Sequence, residues 1–462
     1  MAEAQAKFLT GNLFRHVTVM SLTATLGLMA VFLVDFVDMV FISMLGKAEL
    51  AAAIGYAGAI LFFTTSFGIG MAIAAGALAA RALGAGDEQR AQCTATHTMI
   101  FGVAFGIAFA ALVWSQLDLL VALIGATGET ADLAVGYLAI IVPSMPLLMV
   151  GMIGSALLRA HGDARRSMMA TIAGGVVNGV LDPILIFGLN LDLTGAALAS
   201  VAARVAMALA AVLPLIRHHG GFARPNVTGL ARDLVPILTI AFPAILTQLA
   251  TPVGQAWVTR AMAAYGEAAV AGMAITGRLT PVAFGVIFAL SGAVGPIIGQ
   301  NHGAQNADRV RGTFRAALLF AAIVVTLISA ALFALRGPIA ALFEADGITR
   351  ELVFLFCGPL ALAFFFNAVI FVCNAGFNNL GHPFHSTWIN WGRQTLGTIP
   401  LVMLGAAWWG APGVLIGQAA GGVIFAAIAL LMVRRVIREA APAQPAEFQR
   451  QARQLSLFHN RR

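Results

Sequence analysis

Charged side chains are scarce in this 462-residue chain, and their scarcity excludes a soluble protein. Asp, Glu, Lys and Arg make up only 10% of the residues, whereas a soluble domain carries roughly a quarter. Hydrophobic residues make up 60% of the chain, and the mean hydropathy is +0.89. These values are typical of a chain that faces lipid, so the sequence predicts an all-α, polytopic integral membrane protein.

Cysteine and nucleotide-binding motifs are lacking as well. The three cysteines, Cys93, Cys357 and Cys373, are scattered and match neither a disulfide framework nor a zinc-binding pattern. The chain has no loop of the G-x-x-x-x-G-K-[ST] type, so ATP is not expected as a direct energy source. The histidines in the basic loops have no carboxylates at ligand spacing, so we expect no cofactor and no resident metal.

Long apolar segments fill most of the chain. Each crossing of a bilayer needs about 20 apolar residues, and twelve segments meet this length. The connections between them are short and leave no room for a soluble domain. The predicted spans cover residues 14–43, 49–79, 93–115, 131–157, 168–189, 194–216, 234–264, 269–300, 313–335, 352–376, 386–406 and 412–433.

The basic residues indicate the orientation, because short cytoplasmic loops collect Lys and Arg. Most of the 27 basic residues, including Arg159 in the loop after the fourth predicted span, fall on one side of the predicted spans, and the tail from Arg434 adds to that side. Both termini are therefore predicted to be cytoplasmic, in a cell membrane that we expect to be the bacterial inner membrane. The net charge of +7 follows from this bias and predicts contact with anionic lipid rather than nucleic-acid binding.

The two halves of the chain resemble each other. Gly84–Asp87 aligns with Gly303–Asn306, and Leu123–Thr130 aligns with Leu342–Thr349. Six spans in each half make the repeats parallel, which predicts two six-helix lobes with a substrate path between them. The predicted division is an amino-terminal lobe (residues 1–216), a cytoplasmic linker (217–233), a carboxy-terminal lobe (234–436) and a basic tail (437–462).

Polar residues interrupt the fifth predicted span. Asn178 and Asp182 are four residues apart, so on a helix they share one face. An ionised Asp near the centre of a membrane helix costs roughly 2.5–3.5 kcal/mol, so such residues usually mark an ion or substrate path. Pro183 cannot donate a hydrogen bond and predicts a bend that frees backbone oxygens. The alternative is an Asp satisfied by a neighbouring helix in a purely structural contact.

The repeat also shows that the span acids belong to the first half. Asp182 aligns near Leu401, and Asp38 of the first span aligns with Val258 of the seventh. Asp35 likewise has no acidic counterpart. Since packing alone gives little reason for this asymmetry, we infer that the coupling chemistry lies in the amino-terminal lobe.

Two motifs carry a resemblance to a known family over essentially the whole chain. The segment Val37–Gly46 (VDMVFISMLG) resembles the first-helix pattern of the multidrug and toxic compound extrusion (MATE) transporters. Asn178 with Leu181–Pro183, followed by Gly195–Ser200 (GAALAS), is similar to the fifth- and sixth-helix pattern of the family's DNA-damage-inducible branch.

This resemblance implies two lobes around a central cleft and a monomer that works by alternating access. It implies export of amphipathic, often cationic small molecules in exchange for H+ or Na+. The residues that match the family's cation site are Asp38, Asn178, Asp182 and Ser200. Gln248 stands where another branch has an acid, which argues against a Na+ site in the second lobe.

Further polar residues within the spans are auxiliary candidates. Asp35 lies one turn from Asp38 and serves either as a second proton carrier or counter-charge, or as an acid paired with a polar neighbour. Gln248 is a candidate substrate contact. Arg278 and Arg393 lie in second-half spans and either set substrate preference or extend to the membrane surface.

Two other functions compete with the exporter. A flippase for lipid-linked sugars shares the two-lobe frame, but such proteins tend to carry more cationic residues in the cleft. An integral membrane prenyltransferase would use paired Asp motifs to hold Mg2+ and a diphosphate. The Asp35-x-x-Asp38 spacing suits it, whereas the isolated Asp182 and the duplication do not.

Overall fold

Helices make up all the regular structure in the described part of the chain. The computed structural model describes residues 6–45 and 47–439, without the side chains of Asp35, Ser43 and Ala48. The predicted basic tail therefore lies outside the described residues, apart from residues 437–439. The helices are α1 (Leu13–Met44), α2 (Ala48–Gly84), α3 (Glu88–Trp114), α4 (Leu117–Leu123), α5 (Gly128–Ile141), α6 (Met145–Ala160), α7 (Ala164–Pro183), α8 (Asp192–His218), α9 (Val227–Ala263), α10 (Glu267–Gly303), α11 (Ala307–Leu342), α12 (Gly347–Leu355), α13 (Ala361–Asn379), α14 (Pro383–Gly392) and α15 (Thr398–Glu439).

Short irregular turns join some of these helices into longer stretches. A 3-10 turn at Val142–Ser144 joins α5 to α6, and a π-helical turn at Phe356–Leu360 joins α12 to α13. Another π-helical turn at Arg393–Gly397 joins α14 to α15. Within the described residues, eleven stretches are long and apolar enough to cross a membrane. The all-α membrane fold predicted from the sequence is confirmed.

The last of these stretches accounts for two predicted spans. Pro383–Glu439 contains 57 residues, far more than the roughly 20 that one crossing needs. Gly410 has φ 63° and ψ −139°, a conformation that favours glycine and reverses the chain. The two arms then pack back to back, since a Cβ on Gly413 would lie 1.8 Å from the Gly405 carbonyl oxygen. This hairpin gives the twelve crossings that the sequence predicts.

The sequence repeat is also a structural repeat. Gly86 (φ 78°) and Gln305 (φ 56°) occupy equivalent left-handed positions between helices. The residues that follow them, Asp87 and Asn306, each cap a helix by accepting a hydrogen bond from the backbone N–H three residues later, at 2.8 and 3.0 Å. The aligned loops therefore fold in the same way in both halves.

The predicted amino-terminal lobe contains α1–α8, and the predicted carboxy-terminal lobe contains α9–α15. Only residues 219–226 of the connection between them are non-helical, fewer than the predicted linker of residues 217–233. A buried ion pair ties the start of the second lobe to the first. Both oxygens of Asp233 accept hydrogen bonds from Arg90 at 2.8 Å, and the His97 Nδ1 atom lies 2.7 Å from one of them.

The lobes are in close contact at the end that carries the arginine-rich loops. Arg81 of α2 donates from Nε to the carbonyl oxygen of Asn379 (2.8 Å) and from Nη2 to that of Asn378 (3.0 Å) in α13. Gln300 of α10 donates from Nε2 to the Ala160 carbonyl oxygen at 2.7 Å. Because these bonds hold the two lobes together at one end, the cleft between them lies farther along the helices.

Candidate functional site

The predicted polar pair on α7 is buried and bonded as the spacing implies. Asp182 is fully buried, and Asn178 is 8% exposed. The Asn178 Nδ2 atom donates to Asp182 Oδ2 at 2.9 Å. The α-helix ends at Pro183, where a π-helical turn (Ile184–Gly188) continues it. Such turns often occur at functional sites, and this one follows the residue where the sequence predicts a bend.

Asp38 of α1 meets Asp182 in the interior of the amino-terminal lobe. Their carboxyl groups lie in direct electrostatic contact. Two carboxyl groups can share a hydrogen bond only when one of them carries a proton. The Oδ1 atom of each residue is buried without a partner among the described residues. The arrangement is therefore able to hold a proton between the two carboxyl groups.

A tyrosine that the sequence analysis missed joins Ser200 to this group. Tyr137 of α5 lies beside Ser200 of α8 and within electrostatic reach of Asp38 and Asp182. The only signal in the sequence is a single Tyr inside an apolar span. We call Asp38, Asn178, Asp182, Tyr137 and Ser200 the amino-lobe cluster.

A separate cavity lies between the lobes. It has a volume of about 950 Å³, and α2 and α6 of the first lobe and α9, α10, α13, α14 and α15 of the second contribute to its wall. Gln248 and Arg393, both predicted from the sequence, line it, whereas Arg278 is exposed elsewhere and does not. The side chain of Asp35 lies outside the described part of the chain. The residues of the amino-lobe cluster are not among those that line the cavity.

The cavity has an unusual charge. Its described lining includes two arginines, Arg159 and Arg393, and no Asp or Glu. The basic-residue count had placed Arg159 with the loops, but the structure places it in the last turn of α6 with its side chain at the cavity wall. A guanidinium at the wall of a membrane-embedded cavity attracts negative charge.

Asparagines form a stripe along α13 on the cavity side. Asn367, Asn374 and Asn378 are spaced by seven and four residues, so they share one face of the helix, and all three line the cavity. The Asn374 Oδ1 atom is buried and has no partner among the described residues. The signal for this stripe in the sequence is a set of amides spaced by seven and four residues within an apolar segment.

Asp163 lies in the turn between α6 and α7. This turn is at the end of the molecule where the two lobes are in contact, which we call the closed end. Asp163 caps α7 by accepting from the Arg166 backbone N–H, and its Oδ2 atom also accepts from the Arg166 Nη1 atom and contacts His219. Burial raises the pKa of Asp163, but these hydrogen bonds outweigh it and hold the pKa below its usual value. Burial lowers the pKa of the neighbouring His161.

Both halves of the chain are similar in sequence to known transporters. The model of the MatE family matches residues 24–184 and 243–404. A FAD transporter of Shewanella oneidensis is 28% identical over 403 residues, which cover 86% of this chain and 89% of the relative. The multidrug export protein MepA of Staphylococcus aureus is 26% identical over 345 residues, with 73% and 75% covered.

Solved structures share the architecture at low sequence identity. A MOP superfamily transporter from Pyrococcus furiosus, for which a reverse polarity of the binding pocket suggests a different function, matches with a TM-score of 0.87 at 21% identity over 95% of this chain and 99% of its own. The MATE transporter VcmN of Vibrio cholerae matches with a TM-score of 0.87 at 24% identity, over 92% and 97%. These likenesses support the fold.

Proposed function

Because this chain belongs to the MatE family of transporters, we propose that it is a secondary exporter that exchanges amphipathic small molecules for H+ by alternating access. It is a transporter rather than an enzyme, which sets the prenyltransferase alternative aside. We choose H+ as the coupling ion because Asp38 and Asp182 are in direct contact, and two carboxyl groups in contact favour binding one proton over carrying two negative charges.

The amino-lobe cluster is suited to a proton more than to Na+. Na+ would need several oxygen ligands at once, but Ser200 is engaged with Tyr137, and the Asn178 amide directs an N–H group at Asp182. A proton needs only the two carboxyl groups. We therefore propose that Asp38 and Asp182 bind and release the coupling proton. Asn178, Tyr137 and Ser200 would orient the two carboxyl groups.

The exported compound would bind in the cavity between the lobes. The cavity volume of about 950 Å³ is in the range of sites for drug-sized molecules, and its wall mixes apolar and amide side chains. The names of the two relatives add candidate substrates, because one is a FAD transporter and the other a multidrug export protein. We include flavin dinucleotides and amphipathic drugs among the compounds to be tested.

Transport in proteoliposomes tests this proposal. The purified protein is reconstituted, loaded with substrate, and given a pH gradient or a Na+ gradient separately. We expect accelerated substrate movement with the pH gradient alone. Movement that follows only the Na+ gradient would reject the proton. Movement of lipid-linked sugar without either gradient would favour the flippase.

A further inference from the structure

We propose that the cavity between the lobes binds an organic anion that also has an aromatic or apolar part. This inference rests on the proposed export function and names its substrate class. It differs from the preference for cations that the family resemblance implies. The charge of the wall, the bonding of its arginines and the chemistry of its neutral residues each support it.

The two cavity arginines lack an acidic partner. The Arg393 Nη1 atom donates to Asn367 Oδ1, and the Arg159 Nη1 atom donates to Ser167 Oγ at 2.9 Å. Neither guanidinium has a carboxylate within 4 Å among the described residues. Their positive charge is therefore balanced by solvent or by a ligand, and a ligand with a phosphate, sulfonate or carboxylate group fits both.

Partly buried arginines elsewhere in the molecule are better satisfied. Arg90 makes a two-bond ion pair with Asp233, and Arg81 donates to two backbone carbonyls. Arg393 by contrast makes one side-chain bond, and its Nε atom is buried without a partner in the described structure. A buried charged donor without a partner destabilises the folded protein. The presence of Arg393 at a cavity wall therefore indicates a role in ligand binding rather than in packing.

The turn that carries Arg393 is held in place by its neighbours. Arg393 begins the π-helical turn Arg393–Gly397, and the Thr398 hydroxyl donates to the Arg393 carbonyl oxygen at 2.9 Å. Trp391 donates from Nε1 to the Leu246 carbonyl oxygen at 2.9 Å, which fixes this turn against α9. The guanidinium is therefore presented from a rigid support, as a binding group requires.

The rest of the wall suits the neutral parts of such a ligand. Phe288 lies 5.9 Å from Phe364 and 5.6 Å from Phe371 between ring centroids, and all three rings line the cavity. They provide an apolar surface for an aromatic group. The amides of Asn374 and Asn378 can donate to or accept from the polar substituents of a heterocycle or sugar.

A cation would find no matching charge in this cavity. The acids of the amino-lobe cluster, Asp38 and Asp182, do not line the cavity. A cationic ligand would therefore face two guanidiniums without a carboxylate among the described lining residues. Like charges in a poorly solvated cavity repel each other strongly, so specificity follows from repulsion as well as attraction.

Binding to three aromatic probes of similar size tests the inference. Naphthyl phosphate, naphthol and naphthylmethylammonium carry a negative, zero and positive charge on the same ring system. Titration calorimetry with the purified full-length protein in detergent should show the phosphate binding about tenfold or more tighter than the ammonium compound. Equal or tighter binding of the ammonium compound, or no binding of the phosphate, would overturn the inference.

Variants locate the binding charge. We expect Arg393→Gln and Arg159→Gln each to weaken phosphate binding by about tenfold, and the double variant to lose the preference over naphthol. Arg393→Lys keeps the charge and should retain part of the preference, which separates loss of charge from misfolding. Arg278→Gln removes a span arginine that does not line the cavity and should bind like the wild type. A preference that survives in the double variant rejects the assignment.

The proposed export and the anion preference fail in different ways. Proton-driven movement of the ammonium probe, without binding of the phosphate, would leave the exporter standing and remove the anion site. Tight phosphate binding without any response to a pH gradient would keep the site and remove the exporter.

Discussion

Asp38 and Asp182 come from helices α1 and α7, and their carboxyl groups are in direct electrostatic contact inside the amino-terminal lobe. The close packing of α1 against α7 allows the two carboxyl groups to meet. A Cβ on Gly27 of α1 would lie 3.5 Å from Thr171 of α7, and a Cβ on Gly175 of α7 would lie 3.1 Å from Val34 of α1. Small residues at the crossing thus let the two backbones approach and bring the acids together.

The first prediction concerns this pair. Asp38→Asn and Asp182→Asn should each reduce proton-driven export to the background level, because an amide keeps the shape but cannot bind the coupling proton. The double variant should be no worse than either single one, since the two carboxyl groups act as one unit. Export in proteoliposomes under a pH gradient measures this.

A matched control exists in the same lobe. Asp192 is 47% exposed at its side chain and pairs with Lys47 at the surface. Asp192→Asn should transport normally, since Asn also tolerates its positive φ of 45°. Undiminished export by Asp182→Asn, with the variant correctly folded, would remove the amino-lobe mechanism.

The second prediction concerns pH and stability at the closed end. Burial lowers the pKa of His161. The centroid of its ring lies 4.6 Å from the centroid of the His219 ring. The unfolded chain takes up this proton at about pH 6.5, whereas the folded chain does so only at lower pH. The contribution of the neutral His161 to the stability of the folded protein is therefore fully present above about pH 6.5. It is lost as the pH falls from there through the pKa of His161 in the folded chain.

Thermal unfolding in detergent checks this effect between mildly alkaline and mildly acidic pH. The melting temperature of the wild type should fall as the solution is acidified. His161→Gln removes the titrating group and should flatten this fall. His218→Gln changes an exposed neighbour and should behave like the wild type. An identical pH profile for His161→Gln and the wild type would contradict the prediction.

The third prediction concerns orientation. If both termini are cytoplasmic, a cysteine at the exposed Lys47 should react with an impermeant maleimide added outside intact cells. A cysteine at the exposed Asp308, in the first turn of α11 just after the loop Gly303–Asn306, should react only after the cells are opened. Cys93 is replaced by Ser in both variants to remove the partly exposed native thiol. The reverse labelling would overturn the orientation inferred from the arginines.

The local part of the site was predictable from the sequence. Asn178, Asp182 and Pro183 stand close together in one apolar segment, so their shared face and the end of the α-helix follow from helix geometry alone. Asp38 was found through the repeat and the family motif. The number of crossings was also predictable, because it depends on the lengths of apolar segments.

Contacts between distant segments were not predictable in this way. The proximity of Tyr137 to Ser200 depends on how α5 packs on α8, which no local pattern encodes. Arg278 and Arg393 look alike as span arginines, but only Arg393 faces the cavity, because the direction of a side chain depends on the rotation of its helix. Arg159 was assigned to a loop because predicted helix ends are uncertain by about one turn.

The last prediction concerns the closure between the lobes. The ends of α2 and α10 touch through their backbones, since a Cβ on Gly84 would lie 1.9 Å from the Gln300 carbonyl oxygen. Gly84→Ala therefore cannot form this contact without separating the helices. If export requires this end to close, the variant should favour the state that is open there and should lose most of its export activity.

Gly58→Ala, on the same helix with nothing within 4 Å of its added Cβ, should transport normally. Spin labels on the exposed residues Gln89 and Asp308 report the separation directly. We expect a longer distance in Gly84→Ala and an unchanged one in Gly58→Ala. If the distance in Gly84→Ala equals that of the wild type, this backbone contact does not control the closure.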